Sequence, residues 1–181
     1  MGRLKPVLTL LVLAVGLLLV SPAWAHSFDT IFVVPQSGSQ AAAGKQARDG
    51  FMFAAGERDG HPNETADGHL GGLDVFLLIV DSTAGEGEVV AKLREITGRP
   101  ADDMPRVVAP SVLLEPIRGQ ISGIELLAID LTTAVHAETR TMDGRLFSTA
   151  FEGDLGYAPT QAVYAGYAAA RQIDTAVRAG N

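Results

Sequence analysis

Apolar and polar positions change their period several times along this chain, and the changes divide it into elements. The longest apolar run, Val7 to Val20, stands behind Arg3 and Lys5 and ahead of Pro22-Ala23-Trp24-Ala25. A basic start, a run of about 14 apolar residues and a small-x-small tripeptide are what signal peptidase reads. At 1.5 Å per residue that run is short for ~30 Å of hydrocarbon. Residues 1–25 are therefore expected to be a signal peptide, with 26–181 as one exported domain beginning at His26.

Strand-like and helix-like segments then alternate. Thr30 to Val34 is a β-branched and aromatic run closed by Pro35, a strand by length and composition. Ser39 is placed to N-cap a helix that carries Ala43, Ala47, Phe51, Ala54 and Ala55 on one face. Asp74 to Val80 is too continuously apolar for a half-exposed strand and is expected in the middle of a parallel sheet. Val89, Leu93 and Ile96 mark a second helix stopped by Gly98, and Arg106–Ala109 and Ile124–Ile129 read as further strands. Asp143 to Gly153 has Leu146, Phe147, Ala150 and Phe151 at helical spacing. Thr160 caps a long last helix with Val163, Tyr167, Ala170, Ile173 and Val177 inside. The hydrophilic stretches Asp59–Gly72 and Pro100–Pro105 are expected as surface loops. This order predicts an α/β fold, a three-layer domain around a parallel sheet. Ligands bind such sheets beyond the carboxyl ends of the strands. The turn Pro35-Gln36-Ser37-Gly38-Ser39 and the loops after Val80 and Ala109 are thus the places to look.

Composition narrows the chemistry. The chain has 181 residues, 47% of them hydrophobic and 19% charged, which suits one globular domain and excludes a disordered tail or coiled coil. Fourteen Lys and Arg against 21 Asp and Glu give a net charge of -7, so the basic surface a nucleic-acid partner needs is lacking. There is no cysteine. Disulfides, Cys-ligated metals, thiol nucleophiles and a cysteine-linked lipid anchor are excluded with it. An exported, acidic chain of this kind is expected to be soluble in the periplasm of a Gram-negative bacterium.

Candidate catalytic motifs fail one by one. Gly38-Ser39-Gln40-Ala41-Ala42-Ala43-Gly44-Lys45 superficially follows a phosphate-binding loop, but five residues separate its glycines and Gln46 stands where the magnesium-binding hydroxyl belongs. Gly44 and Gly50 are expected instead to let a helix lie close to the sheet. The triplets Asp59-Gly60-His61 and Asp67-Gly68-His69 offer imidazole and carboxylate, yet Asp-Gly pairs form turns and give no rigid frame for a metal. His26 as an N-terminal residue could offer its amine and imidazole to copper, with His136 the one further candidate. No Gly-x-Ser-x-Gly elbow is present, and no histidine can be tied to Ser37 as a base. Asp81 ends a strand, a position that serves a ligand or caps the next segment. No catalytic residues, cofactor or metal ligands are expected.

Two blocks, roughly Thr30 to Val112 and Ile124 to Val177, carry a family resemblance. Ile31-Phe32-Val33-Val34-Pro35-Gln36-Ser37-Gly38 followed by Ala43-Gly44-Lys45-Gln46-Ala47-Arg48-Asp49-Gly50-Phe51 resembles the opening of type I, leucine/isoleucine/valine-binding, periplasmic solute-binding proteins. Gly71-Gly72-Leu73-Asp74-Val75 through Val80-Asp81 is similar to that family's second strand with its terminal Asp. Phe147-x-x-x-Phe151, Gly156-Tyr157-Ala158-Pro159-Thr160 and Ala165-Gly166-Tyr167-Ala168-Ala169-Ala170 resemble a later segment. The resemblance implies one lobe of a binding protein, the second lobe being absent, that serves an ABC-type uptake system for amino acids or other small polar solutes with an ABC permease as partner. Arg106-Val107-Val108-Ala109-Pro110-Ser111 resembles the strand and loop that hold a ligand's polar groups, with Ser111 alone of the family's serines. The ligand residues implied are Ser37 and Ser111, backbone amides at Ser39 and Gln40, and then Asp81. Two other functions stay open: an interaction protein that forms a homodimer or docks through the face a second lobe would cover, and copper handling through His26.

Overall fold

The structure, a computed structural model, describes residues 27–57, 66–98, 104–132 and 139–180. The expected signal peptide, His26, His61 and His136 lie outside these residues. The chain forms β1 (Ser27–Val34), α1 (Ala41–Gly56), β2 (Gly68–Leu70), β3 (Leu73–Asp81), α2 (Glu86–Thr97), β4 (Arg106–Pro110), α3 (Ser111–Arg118), β5 (Glu125–Ile129), α4 (Phe147–Leu155) and α5 (Gln161–Gly180). Five strands make one sheet in the order β2-β3-β1-β4-β5, parallel except for β2. This is the three-layer α/β architecture the alternation predicts.

β1 is the central strand, and its residues show why. Phe28, Phe32 and Val34 enter a core shared with α1, α4 and α5, while Ile31 and Val33 enter a second core under α2 and α3. Both faces are covered, so the run is apolar without alternation. β3 carries an equally apolar run but is not in the middle of the sheet. It lies beside the three-residue edge strand β2, and only Val75 and Val80 along it are buried. The expected loop at Asp59–Gly72 is corrected in the same place, because Gly68–Leu70 pairs with Leu73–Val75 and Leu70 is buried.

Two helices depart from expectation. Ser39 does not cap α1; it sits in a 3-10 turn, Gly38–Gln40, and no side chain caps either that turn or α1. α3 has no counterpart in the sequence pattern, which is broken by Pro116. Proline there removes the bond to the Val112 carbonyl, four residues back, and Val112 is 82% exposed, so water can replace it.

α1 and α5 pack backbone to backbone. A Cβ on Gly50 would stand 2.0 Å from the Val163 carbonyl oxygen, and one on Gly166 1.8 Å from that of Ala47. Gly44 meets the Pro35 carbonyl in the same way. Gly44 thus fits α1 to the end of the central strand as expected, whereas the close approach of Gly50 is to α5. α4 covers the side of α1 turned from the sheet, where Phe147 and Phe151 each place a ring 5.5 Å from Phe53. Among the described residues no helix is long and apolar enough to cross a membrane.

Candidate functional site

α1 follows β1 on one face of the sheet, and α2 and α3 follow β3 and β4 on the other. The chain therefore winds outward in one direction from β1 to β3 and in the other from β4 to β5. The reversal falls between β1 and β4, where strand-end loops diverge and leave a crevice. An open groove of about 310 Å³ lies there, lined by Pro35 and Gln40 after β1, by Pro110 at the end of β4 and Ser111 after it, and by Ile129 at the end of β5 with Asp130 to Thr132 after it.

Local chemistry shapes each wall. α3 starts at Ser111 directly from β4, and no side chain caps it. Its first residues, Ser111 and Val112, line the groove, and the unpaired amides of a helix's first turn suit an anionic or carbonyl oxygen. Asp130 forms the wall beyond β5. Its Oδ1 accepts the Thr132 amide at 2.8 Å and the Thr132 hydroxyl at 2.7 Å, which holds the carboxylate in one rotamer. Gln40, exposed at the end of the 3-10 turn, closes the side toward α1.

The five residues expected at the site separate into two groups. Gln40 and Ser111 line the groove. Ser37 and Asp81 are instead bound to each other's loop on the β3 side. Asp81 Oδ1 accepts from the Gln36 amide at 2.9 Å, the Thr83 amide at 2.9 Å and the Thr83 hydroxyl at 2.7 Å. Ser37 Oγ lies 2.6 Å from Thr83 Oγ1. These bonds, the Gln36 amide foremost, hold the Asp81 carboxyl below its ordinary range. Ser39 lies exposed in the 3-10 turn and is not among the groove residues. Asp130 was not singled out in the sequence. Its signal was the repeat of Asp81-Ser82-Thr83 as Asp130-Leu131-Thr132, an acid and a threonine after an apolar strand.

The remaining candidates have structural partners. His69 Nε2 lies 2.8 Å from Asp74 Oδ1 across the β2–β3 pair, and Asp67 of the same triplet accepts the Leu77 amide. Among the described residues no group of three His, Asp or Glu side chains is arranged to hold a metal ion. No family model, curated protein or solved structure gives a significant match to the chain.

Proposed function

We propose that this chain is a periplasmic solute-binding domain, a shortened relative of the solute-binding components of ABC-type uptake systems, and that it takes a small polar solute such as an amino acid. The observation that carries the reading is the groove at the strand-order reversal, which combines an uncapped helix start at Ser111 with the fixed carboxylate of Asp130. The two are complementary to a zwitterion. Its carboxylate would meet the Ser111 hydroxyl and the first amides of α3, and its ammonium would meet Asp130. Gln40 can donate or accept and suits a polar side chain. Ser37 and Asp81 keep the β1 turn in place beside the groove, which makes them supports of the site. No step of this reading uses a catalytic group or a cofactor.

The groove is open, so a ligand in one lobe stays partly hydrated and binds more weakly than in a closed cleft. The test is thermal unfolding in a panel of amino acids at millimolar concentration. A ligand at 100 times its Kd adds about 2.7 kcal/mol of stability. A raised Tm for a subset of the panel is expected, and no shift for any member overturns the reading.

A further inference from the structure

The parallel strands β1, β3, β4 and β5 all end on the side of the sheet where the solute groove lies. The segments that leave those ends share one property. Residues 35–44, 81–91, 110–117 and 130–139 contain no lysine or arginine. Cations come only afterwards, at Lys45, Lys92, Arg118 and Arg140. Three of these are paired with acids, Lys45 with Asp49, Lys92 with Glu95 and Arg118 with Glu115, and Arg140 donates to the Gly144 carbonyl. Acids are not kept out in the same way. Asp81, Glu86, Glu88, Glu115, Asp130 and Glu138 all fall within the four segments. Glu86 and Glu88 stand in the first turn of α2, where its amides favour them. Among the described residues that line the groove, Asp130 alone is charged.

A charge balance for the groove follows. The start of α3 supplies about half a positive charge, and Asp130 supplies a full negative one. A zwitterion sets its carboxylate against the first and its ammonium against the second. The remainder is negative, and the four segments hold no lysine or arginine to offset it. The net charge of -7 on the chain adds the same sign at longer range. Residues 133–138, which lie outside the described part of the chain, bring only His136 and Glu138 as titratable groups, so no path they take adds a permanent cation. We propose that the groove sorts solutes by charge, preferring amino acids with a cationic side chain and rejecting acidic ones. This rests on the zwitterion reading above and names the solute class within it.

Two pairs of amino acids differ in charge but hardly in size. Lysine is matched by norleucine, and glutamate by glutamine. Calorimetric titration of all four at about pH 8 leaves imidazole neutral and keeps histidine out of the balance. Lysine is expected to bind about tenfold tighter than norleucine, and glutamate about tenfold weaker than glutamine, the scale of one charge about 6 Å from another at a half-exposed site. Raising the salt from about 20 mM to about 0.5 M should shrink both gaps, because ions screen over that distance. Asp130→Asn should shrink them too. Parity within either pair, a reversed order, or gaps that Asp130→Asn leaves unchanged overturns the charge selection and leaves the zwitterion reading in place. No binding by any of the four amino acids overturns that reading, and the charge selection with it.

Discussion

Tyr167 on α5 donates its hydroxyl to the carboxylate of Glu57, which follows α1, lying 3.0 Å from Oε2 and 3.2 Å from Oε1. The Glu57 side chain is only 7% exposed, and it also receives the Met142 amide and faces the Arg171 guanidinium at 3.7 Å. Two turns earlier on the same side of α1, Asp49 accepts the Tyr157 hydroxyl at 2.8 Å and Lys45 at 2.6 Å. Asp49, Phe53 and Glu57 form a stripe at i, i+4 and i+8. Two carboxylates thus fasten the chain on either side of α4, and Phe53 fills the space between them. Burial and the neighbouring acids push both tyrosine hydroxyls up, that of Tyr157 to about 12.

Burial dominates at Glu57 and raises its pKa despite the Tyr167 bond, the Met142 amide and Arg171. A carboxyl whose folded pKa exceeds its unfolded value binds its proton more tightly when folded. Its contribution is fully present below the unfolded pKa and is lost as pH rises through the folded one. Glu57→Gln keeps an acceptor for Tyr167 and removes the charge. Urea denaturation of wild type and variant should therefore show their stability difference moving toward the variant between about pH 4 and pH 7. A difference that moves the other way would mean that Arg171 outweighs burial.

Gly166 and Gly50 decide whether α1 and α5 can touch. The added methyl of Gly166→Ala would lie 1.8 Å from a backbone oxygen that cannot rotate aside, so the helices must separate. A loss of about 3 kcal/mol or more is expected, at the upper end of overpacking costs. Gly153→Ala in α4 meets nothing within 4 Å and should gain up to roughly 1 kcal/mol from helix propensity. Chemical denaturation of the two variants checks the contrast, and equal effects would contradict this helix contact.

Where a pattern repeats over several turns, the sequence reading and the structure agree. Val163, Tyr167, Ala170, Ile173 and Val177 are all buried on α5, and Val89, Leu93 and Ile96 on α2 before Gly98. Short elements were not legible, because three residues of β2 or eight of α3 hold too few periodic positions to show a period. β3 misled for a related reason. Continuous apolarity marks a strand covered on both faces, but it does not reveal that its neighbour β2 stops after three residues. At the groove, the positions of Ser111 and Gln40 were legible because loops at strand ends of parallel sheets line such crevices. Asp130 was not, since its importance comes from the groove that β4 and β5 make together. Asp49 and Glu57 lie on the polar side of the α1 pattern, and nothing local says that α4 covers that side.

Asp81 and Asp130 repeat one local device, a carboxylate that accepts the amide and hydroxyl of a threonine two residues on, yet they should answer mutation differently. Asp81 spends Oδ1 on the Gln36 and Thr83 amides, and its lowered pKa makes this contribution present above the ordinary carboxylate range and lost as pH falls through the depressed value. Asp81→Ala should loosen both loops, which hydrogen exchange would read as faster exchange at the Gln36 and Thr83 amides, with solute affinity nearly kept. Asp130→Asn keeps the acceptor oxygen for Thr132 and removes the charge from the groove. It should leave the fold intact and weaken a zwitterionic solute by about tenfold to a hundredfold, the range of a charge-assisted bond. Ser111→Ala should weaken it by less, since the α3 amides remain. Calorimetric titration of the three variants with whichever amino acid raises the Tm gives the ranking. Equal losses for Asp81→Ala and Asp130→Asn would place the solute on the β3 side of the sheet instead.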